Sequence, residues 1–244
     1  MKMRSLAIFA VVAALAAACT PPKYASYTSV SNDFTARVPW GWNVIAEANF
    51  DGYSEVVFTG PFDPDFYLGA PSLSVRWYKP YRSHPLRDGQ LEMYKSSDDF
   101  IKQTLRDVYG KDAIVVGVGT RSDGNRVPLE KNEPIPTVTL KESGLAAKYF
   151  AVLSPTRARA GTTVGTFVDE NGTRVNQRYH EYAVVPIVVD NREAGFYVLC
   201  YPATMRGHDT DMDRFRNLMG TFRPLTVGPA GPKFRLPGPT AAGS

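Results

Sequence analysis

From Ile114 to Tyr201 the chain passes through six short segments in which apolar residues alternate with polar ones or fill the segment: Ile114 to Val118, Pro136 to Leu140, Ala147 to Leu153, Thr162 to Val168, Tyr179 to Val189 and Phe196 to Tyr201. Such segments read as β-strands. Turn chemistry separates several of them, at Asp123-Gly124, Asn171-Gly172 and Asp190-Asn191. A parallel crossover needs a dozen or more residues, so the short connections require antiparallel neighbours. Tyr179 to Val189 is expected to form a hairpin with Phe196 to Tyr201. Three earlier strands precede these. In the first, Phe34, Ala36 and Val38 alternate with polar residues until Pro39 to Gly41 end the run, and Trp40 or Trp42 caps the edge of the core. The second is Tyr53 to Thr59, and the third, Leu73 to Tyr78, has Leu73, Val75 and Trp77 on one face. The prolines of the loop Gly60 to Phe66 forbid ladder bonding there.

Two segments switch to helical periodicity. Ser96 and Ser97 can cap a helix from Asp98 to Tyr109, whose Ile101, Leu105 and Val108, joined by Phe100 and Tyr109, form an apolar stripe ended by Gly110. Leu91 to Tyr94 can add a turn to the same helix. Near the end of the chain Met212, Phe215, Met219 and Phe222 share a face with Leu218, while Arg214, Arg216 and Asn217 face water. The resulting expectation is an α+β fold with a central antiparallel β-sheet.

The N-terminus carries an address. Lys2 and Arg4 precede thirteen apolar or small residues, Leu6 to Ala18, and Cys19 follows three alanines. The run is too short for a membrane span of about 20 residues and fits the apolar region of an export signal. It resembles the bacterial lipoprotein signal, which implies cleavage before Cys19, acylation of that cysteine and anchoring of the domain in the cell envelope. Ordinary cleavage after Ala18 with an unmodified cysteine is the alternative. Thr20 stands where aspartate marks inner-membrane retention in enteric-type bacteria, so the resemblance points to the outer membrane, facing the periplasm. The expected layout is a signal peptide over 1–18, a tether over 19–32, one domain over 33–224, and a disordered Pro/Gly-rich tail over 225–244.

Charge and cysteine usage narrow the class. Cleavage removes Lys2 and Arg4, leaving 26 basic against 24 acidic residues, and no basic block marks a nucleic-acid face. Cys200 has no intramolecular partner if Cys19 carries lipid, and its setting in Phe196 to Tyr201 reads as core.

Candidate chemical motifs fail on spacing. His180-Glu181 begins like the zinc-protease pattern, but Val184 stands where the second imidazole belongs. Carboxylates alternate through His208-Asp209-Thr210-Asp211-Met212-Asp213, yet a calcium loop starting at Asp209 would need glycine and glutamate where Arg214 and Gly220 stand. Thr210 as an N-cap, with Asp213 three residues on, is the preferred reading. Gly117-Val-Gly119 lacks the third glycine of a dinucleotide loop. No metal, cofactor or catalytic residues are therefore assigned. Phe62, Phe66 and Tyr67 make the loop after Gly60 the place to look for an exposed aromatic surface.

The run Phe34-x-x-x-Val38-Pro39-x-Gly41-Trp42, the late core strand Phe196 to Tyr201 and the closing helix ending in Met219-Gly-Thr-Phe-Arg-Pro224 together resemble the PsbP family, which shares its fold with the Mog-type Ran-binding proteins. The resemblance implies a PsbP-like α/β/α sandwich, an antiparallel sheet flanked by helices. It also implies an accessory, binding or assembly role with an envelope protein partner rather than catalysis. The stretch from Asn125 to Asn176 exceeds the basic fold, and photosystem association does not carry over. An envelope hydrolase, with His84, His180 or His208 beside a serine and a carboxylate, and a small-ligand or metal carrier with a closed pocket are the rival classes.

Overall fold

The computed structural model describes residues 22–63, 69–85, 91–109, 114–120, 126–130, 133–157, 166–168 and 174–228. In chain order the strands are β1 (Tyr24–Thr28), β2 (Phe34–Pro39), β3 (Asn43–Phe50), β4 (Tyr53–Thr59), β5 (Ser72–Tyr78), β6 (Ser83–Pro85), β7 (Leu91–Met93), β8 (Ile114–Thr120), β9 (Arg126–Pro128), β10 (Thr137–Thr139), β11 (Ala146–Arg157), β12 (Thr166–Val168), β13 (Arg174–Val189), β14 (Arg192–Thr204) and β15 (Arg223–Pro224). Helix α1 (Ser97–Gln103) continues as a π-helical turn over Thr104–Tyr109, and α2 (Met205–Thr221) follows β14 directly. The main sheet runs β3-β4-β5-β14-β13-β11-β8-β9, with β10 on β11 and β12 on β13. A smaller sheet has the order β1-β2-β15, and β6 with β7 forms a separate hairpin. Every pairing is antiparallel, as the short connections require.

The long hairpin of β13 and β14 is the centre. Phe196 to Tyr201 has no exposed face: Tyr197, Leu199 and Tyr201 pack on one side, Phe196, Val198 and Cys200 on the other. The first side is covered by Phe34, Ala36 and Val38 of β2 and by Met212, Phe215 and Leu218 of α2. Tyr94 and the α1 residues Phe100 and Ile101 cover the second. Strand dominates, and each helix shares its face with other elements, so the expected antiparallel sheet is present with two helices as partial covers.

Several boundaries differ from the expectation. Tyr24–Thr28, placed in the tether, pairs residue for residue with β2, and the Tyr27 ring packs edge-on against Phe58 at 4.8 Å. Leu91–Met93 is a strand rather than a helical turn, because Glu92 turns inward while Leu91 and Met93 turn outward. Ser96 does cap α1, its Oγ accepting from the Asp99 N–H at 3.1 Å. Glu193 fastens this end to the β13–β14 turn by accepting from Ser97 N and Ser97 Oγ at 2.6 and 2.8 Å. Helix α2 starts at Met205, so Thr210 is not its N-cap. Asp211 and Asp213 instead pair within the helix with Arg214 at 2.7 Å and Arg216 at 3.3 Å. Asn217 is half-buried rather than facing water.

The chain beyond Pro224 also joins the domain before its described part ends. Asp33 is buried, and its carbonyl accepts from Leu225 N at 2.7 Å and Thr226 N at 3.3 Å. Its carboxylate gathers Ser29 Oγ, Ser31 Oγ and Tyr197 OH at 2.5, 2.7 and 2.9 Å, fixing the β1–β2 turn to the central strand. Gly228 lies against one part of the Trp77 ring and Gly195 against another, each so close that a Cβ would overlap ring carbons. Residues 229–244 of the expected tail, and the whole of 1–18, lie outside the described residues.

The indole of Trp77 is held between two backbones, which makes Gly195 a point of high packing sensitivity. Gly195→Ala is expected to lower the unfolding free energy by about 1–3 kcal/mol through overpacking. A urea midpoint unchanged from the parent protein would contradict that contact.

Candidate functional site

The densest group of polar and aromatic side chains lies where the β6–β7 hairpin and α1 close over β4 and β5. Strand alternation puts Tyr53 and Glu55 of β4 on the same face as Arg76 and Tyr78 of β5, and the register pairs Tyr53 with Tyr78 and Glu55 with Arg76. His84 enters from β6 and is buried. It stacks on Tyr53 at 4.7 Å, meets the edge of Tyr78 at 5.0 Å and lies 5.6 Å from Tyr94. Tyr94 in turn packs on Tyr78, Phe100 and Phe196.

Every carboxylate in this group is engaged. Glu92, opposite His84 across the hairpin, accepts from Tyr94 OH at 2.5 Å and lies 3.5 Å from His84 Nε2. Glu55 accepts from Tyr53 OH at 3.1 Å and from Arg76 Nε at 2.9 Å. Burial disfavours the charged imidazole and holds His84 below its usual pKa, against the opposing pull of Glu92. Burial also raises the phenols of Tyr53 and Tyr94 and pushes Tyr78 up to about 12. The phenols therefore stay neutral, and those of Tyr53 and Tyr94 donate to Glu55 and Glu92. The group has one imidazole 3.5 Å from a carboxylate, and the hydroxyls of Tyr53 and Tyr94 beside it donate to Glu55 and Glu92 rather than to the imidazole.

The candidate residues of the sequence are not brought together. Tyr78, against which His84 packs, pairs with Phe196, whereas His180 pairs with Pro202 six residues further along β14, about 20 Å away at the rise of a strand. Glu181 is fully buried and, as the neighbour of His180 in a strand, points to the opposite face, so the two cannot serve one metal. His208 falls within α2, and its side chain lies outside the described residues. Among the described residues no group of three or more His, Cys, Asp or Glu is placed to hold a metal ion. Gly117 and Gly119 belong to β8, which is strand and not a phosphate loop. Cys200 is a buried free thiol whose pKa burial pushes up to about 11. Cys19, Phe66 and Tyr67 lie outside the described residues.

Two apolar surfaces that sequence periodicity did not reveal as surfaces stand at opposite ends of β4 and β5. At one end the outer side of the β6–β7 hairpin presents Leu91, 71% exposed, and Met93, 41% exposed, beside Tyr81, which is 68% exposed and donates from its N–H to Tyr94 O at 2.8 Å. Lys79, Arg82 and Lys95 are exposed on the same stretches of chain, Arg82 lying 3.9 Å from Asp51. At the other end Trp42 packs against Gly60 and under the Arg214 guanidinium at 5.2 Å, so Trp42 is the tryptophan that caps the core. Trp40, Val44, Ile45 and Phe62 remain outside it. The only earlier pointer was Phe62, the described member of the expected aromatic loop.

The neutral, buried His84 sets a pH dependence with a definite sign. The unfolded chain takes up its proton at a higher pH than the folded one, so stability falls as pH drops below about 6.5 toward the lower folded value. His84→Phe should therefore lose less thermal stability than the parent protein between about pH 8 and about pH 5.5. Equal losses in the two proteins would place the proton uptake elsewhere.

No family model matches the chain, and no curated protein is significantly similar to it. Solved structures do align. The solution structure of cyanobacterial PsbP from Synechocystis matches with a TM-score of 0.38 at 13% identity, over 84% of this chain and 95% of that one. The Saccharomyces cerevisiae Ran-binding protein Mog1p matches with a TM-score of 0.37 at 11% identity, over 82% of this chain and 94% of that one.

Proposed function

We propose that this chain is a lipid-anchored protein of the bacterial envelope, attached through Cys19 and built as a PsbP-like α/β/α sandwich. Its role is that of a non-catalytic accessory module that binds a protein partner. The observation that carries the binding role is the outward face of the β6–β7 hairpin. His84 and Glu92 fasten its inner side to the aromatic group, which leaves Tyr81, Leu91 and Met93 displayed on a braced support. Exposed apolar groups clustered within a polar rim are a mark of contact surfaces. Arg82 is paired with Asp51 at 3.9 Å, so exposed Lys79 and Lys95 carry the positive charge of that rim, and the complementary partner surface is apolar at its centre and acidic at its edge.

Two measurements test the halves of this proposal separately. Cys19→Ser should move a folded domain from the membrane fraction to the soluble fraction, and retention in the membrane would refute the anchor. The double substitution Leu91→Glu with Met93→Glu alters only exposed side chains, where stability changes stay within about 0.5 kcal/mol. It should reduce recovery of a crosslinked envelope partner about tenfold or more. Recovery of the same partner at the same yield would refute the hairpin as the contact.

A further inference from the structure

We infer that Trp40, Val44, Ile45 and Phe62 form the surface by which the anchored domain rests on the lipid bilayer, an inference that depends on the lipidation of Cys19 proposed above. Chain length limits how far the domain can stand from a lipid at Cys19. The first strand begins at Tyr24 and not after Asn32. Five residues from Cys19 to Tyr24 span at most about 18 Å when fully extended. Tyr24 pairs with Pro39, and the Trp40 N–H donates to Lys23 O at 3.1 Å. The turn that carries Trp40 is therefore tied to the point where the chain leaves for its anchor.

The side chains gathered at that point suit an interface. Trp40 is 55% exposed, Ile45 66% and Phe62 80%, with Val44 beside them. Asn43 pairs with Thr59, and Gly60 touches Trp42, which brings β3 and the Phe62 loop to the same end of the molecule as Trp40. Phe62 is braced there: the Asp63 N–H donates to Gly69 O at 2.8 Å, and the ring lies against Gly69, whose φ is +76. An indole with apolar neighbours is favoured at the level of lipid headgroups, and Lys23 can lay its stem along the same surface while its ammonium reaches phosphate. The hairpin with Leu91 lies at the far end of β4 and β5, about 20 Å away along the strands. The orientation turns that end toward the aqueous phase.

The test uses the full chain with its lipid, reconstituted in vesicles of phosphatidylethanolamine and phosphatidylglycerol without other proteins. Phe62→Cys, Ile45→Cys and Leu91→Cys each place one exposed thiol, and each is compared with its Cys19→Ser counterpart free in solution. A membrane-impermeant maleimide should label Phe62→Cys and Ile45→Cys roughly tenfold more slowly in the vesicle-bound protein and leave Leu91→Cys unchanged. Flotation with the vesicles but full labelling at Phe62→Cys and Ile45→Cys would overturn the orientation and leave the anchor standing. Failure of the chain with intact Cys19 to float with vesicles would overturn both. Protection that arises only when native envelope proteins are added would assign the surface to a protein and also overturn the inference.

Discussion

The strand from Phe196 to Tyr201 has no side that water can touch, and the architecture follows from that constraint. A strand with one wet face needs one cover, whereas this one needs two. On one side the second strand and the C-terminal helix bring Phe34, Phe215 and Phe222; on the other the helix beginning at Ser97 brings Phe100 and Ile101 with Tyr94. Each cover is then tied back to the central hairpin by a buried or half-buried carboxylate. Asp33 receives Tyr197 OH from the central strand, and Glu193 receives Ser97 from the helix. These bonds give position to covers whose attraction, being hydrophobic, has no direction of its own.

The same two-sidedness accounts for the aromatic group around His84. Tyr53, Tyr78 and Tyr94 each bring a ring to the second core and a hydroxyl that must find an acceptor when buried. Glu55 and Glu92 accept from two of these hydroxyls, and Arg76 meets the remaining capacity of Glu55. His84 fills the space between the rings as a neutral imidazole. A group arranged in this way ties the inner side of the hairpin to the core and leaves Leu91 and Met93 on its outer side.

Local pattern made the strands before and after the middle of the chain readable, because alternation, turn residues and antiparallel pairing are all short-range consequences of sequence. The cap at Ser96 was readable for the same reason. The β3 strand was not: Asn43-Val-Ile-Ala-Glu-Ala-Asn-Phe50 has no regular alternation, and the ladder to β4 that holds it contains a register shift between Val44 and Ala46. The short strand at Leu91 was obscured because Leu91 and Tyr94 also fit a helical spacing. What binds the ends to the domain was invisible locally, since Asp33 meets Leu225 and Thr226 from across the chain, and Trp77 meets Gly195 and Gly228. In the candidate site, the failed spacing at His180 and Val184 was legible, while the grouping of His84 with three tyrosines came from three strands and the residue that follows β7. Trp42 rather than Trp40 fills the core edge, a choice decided by Gly60 and Arg214.

A first strand that starts at Tyr24 bears on the anchor proposed at Cys19, because the two lie only five residues apart. An anchor separated from the fold by a long polar segment would leave the domain free to turn, whereas with the lipidation proposed at Cys19 a strand starting at Tyr24 would keep one end near the lipid and direct the other outward. Neutron reflectometry on the lipidated protein bound to a supported bilayer measures that relation without any substitution. The account predicts protein density continuous with the headgroup layer. A hydrated gap between the headgroups and the protein would contradict it.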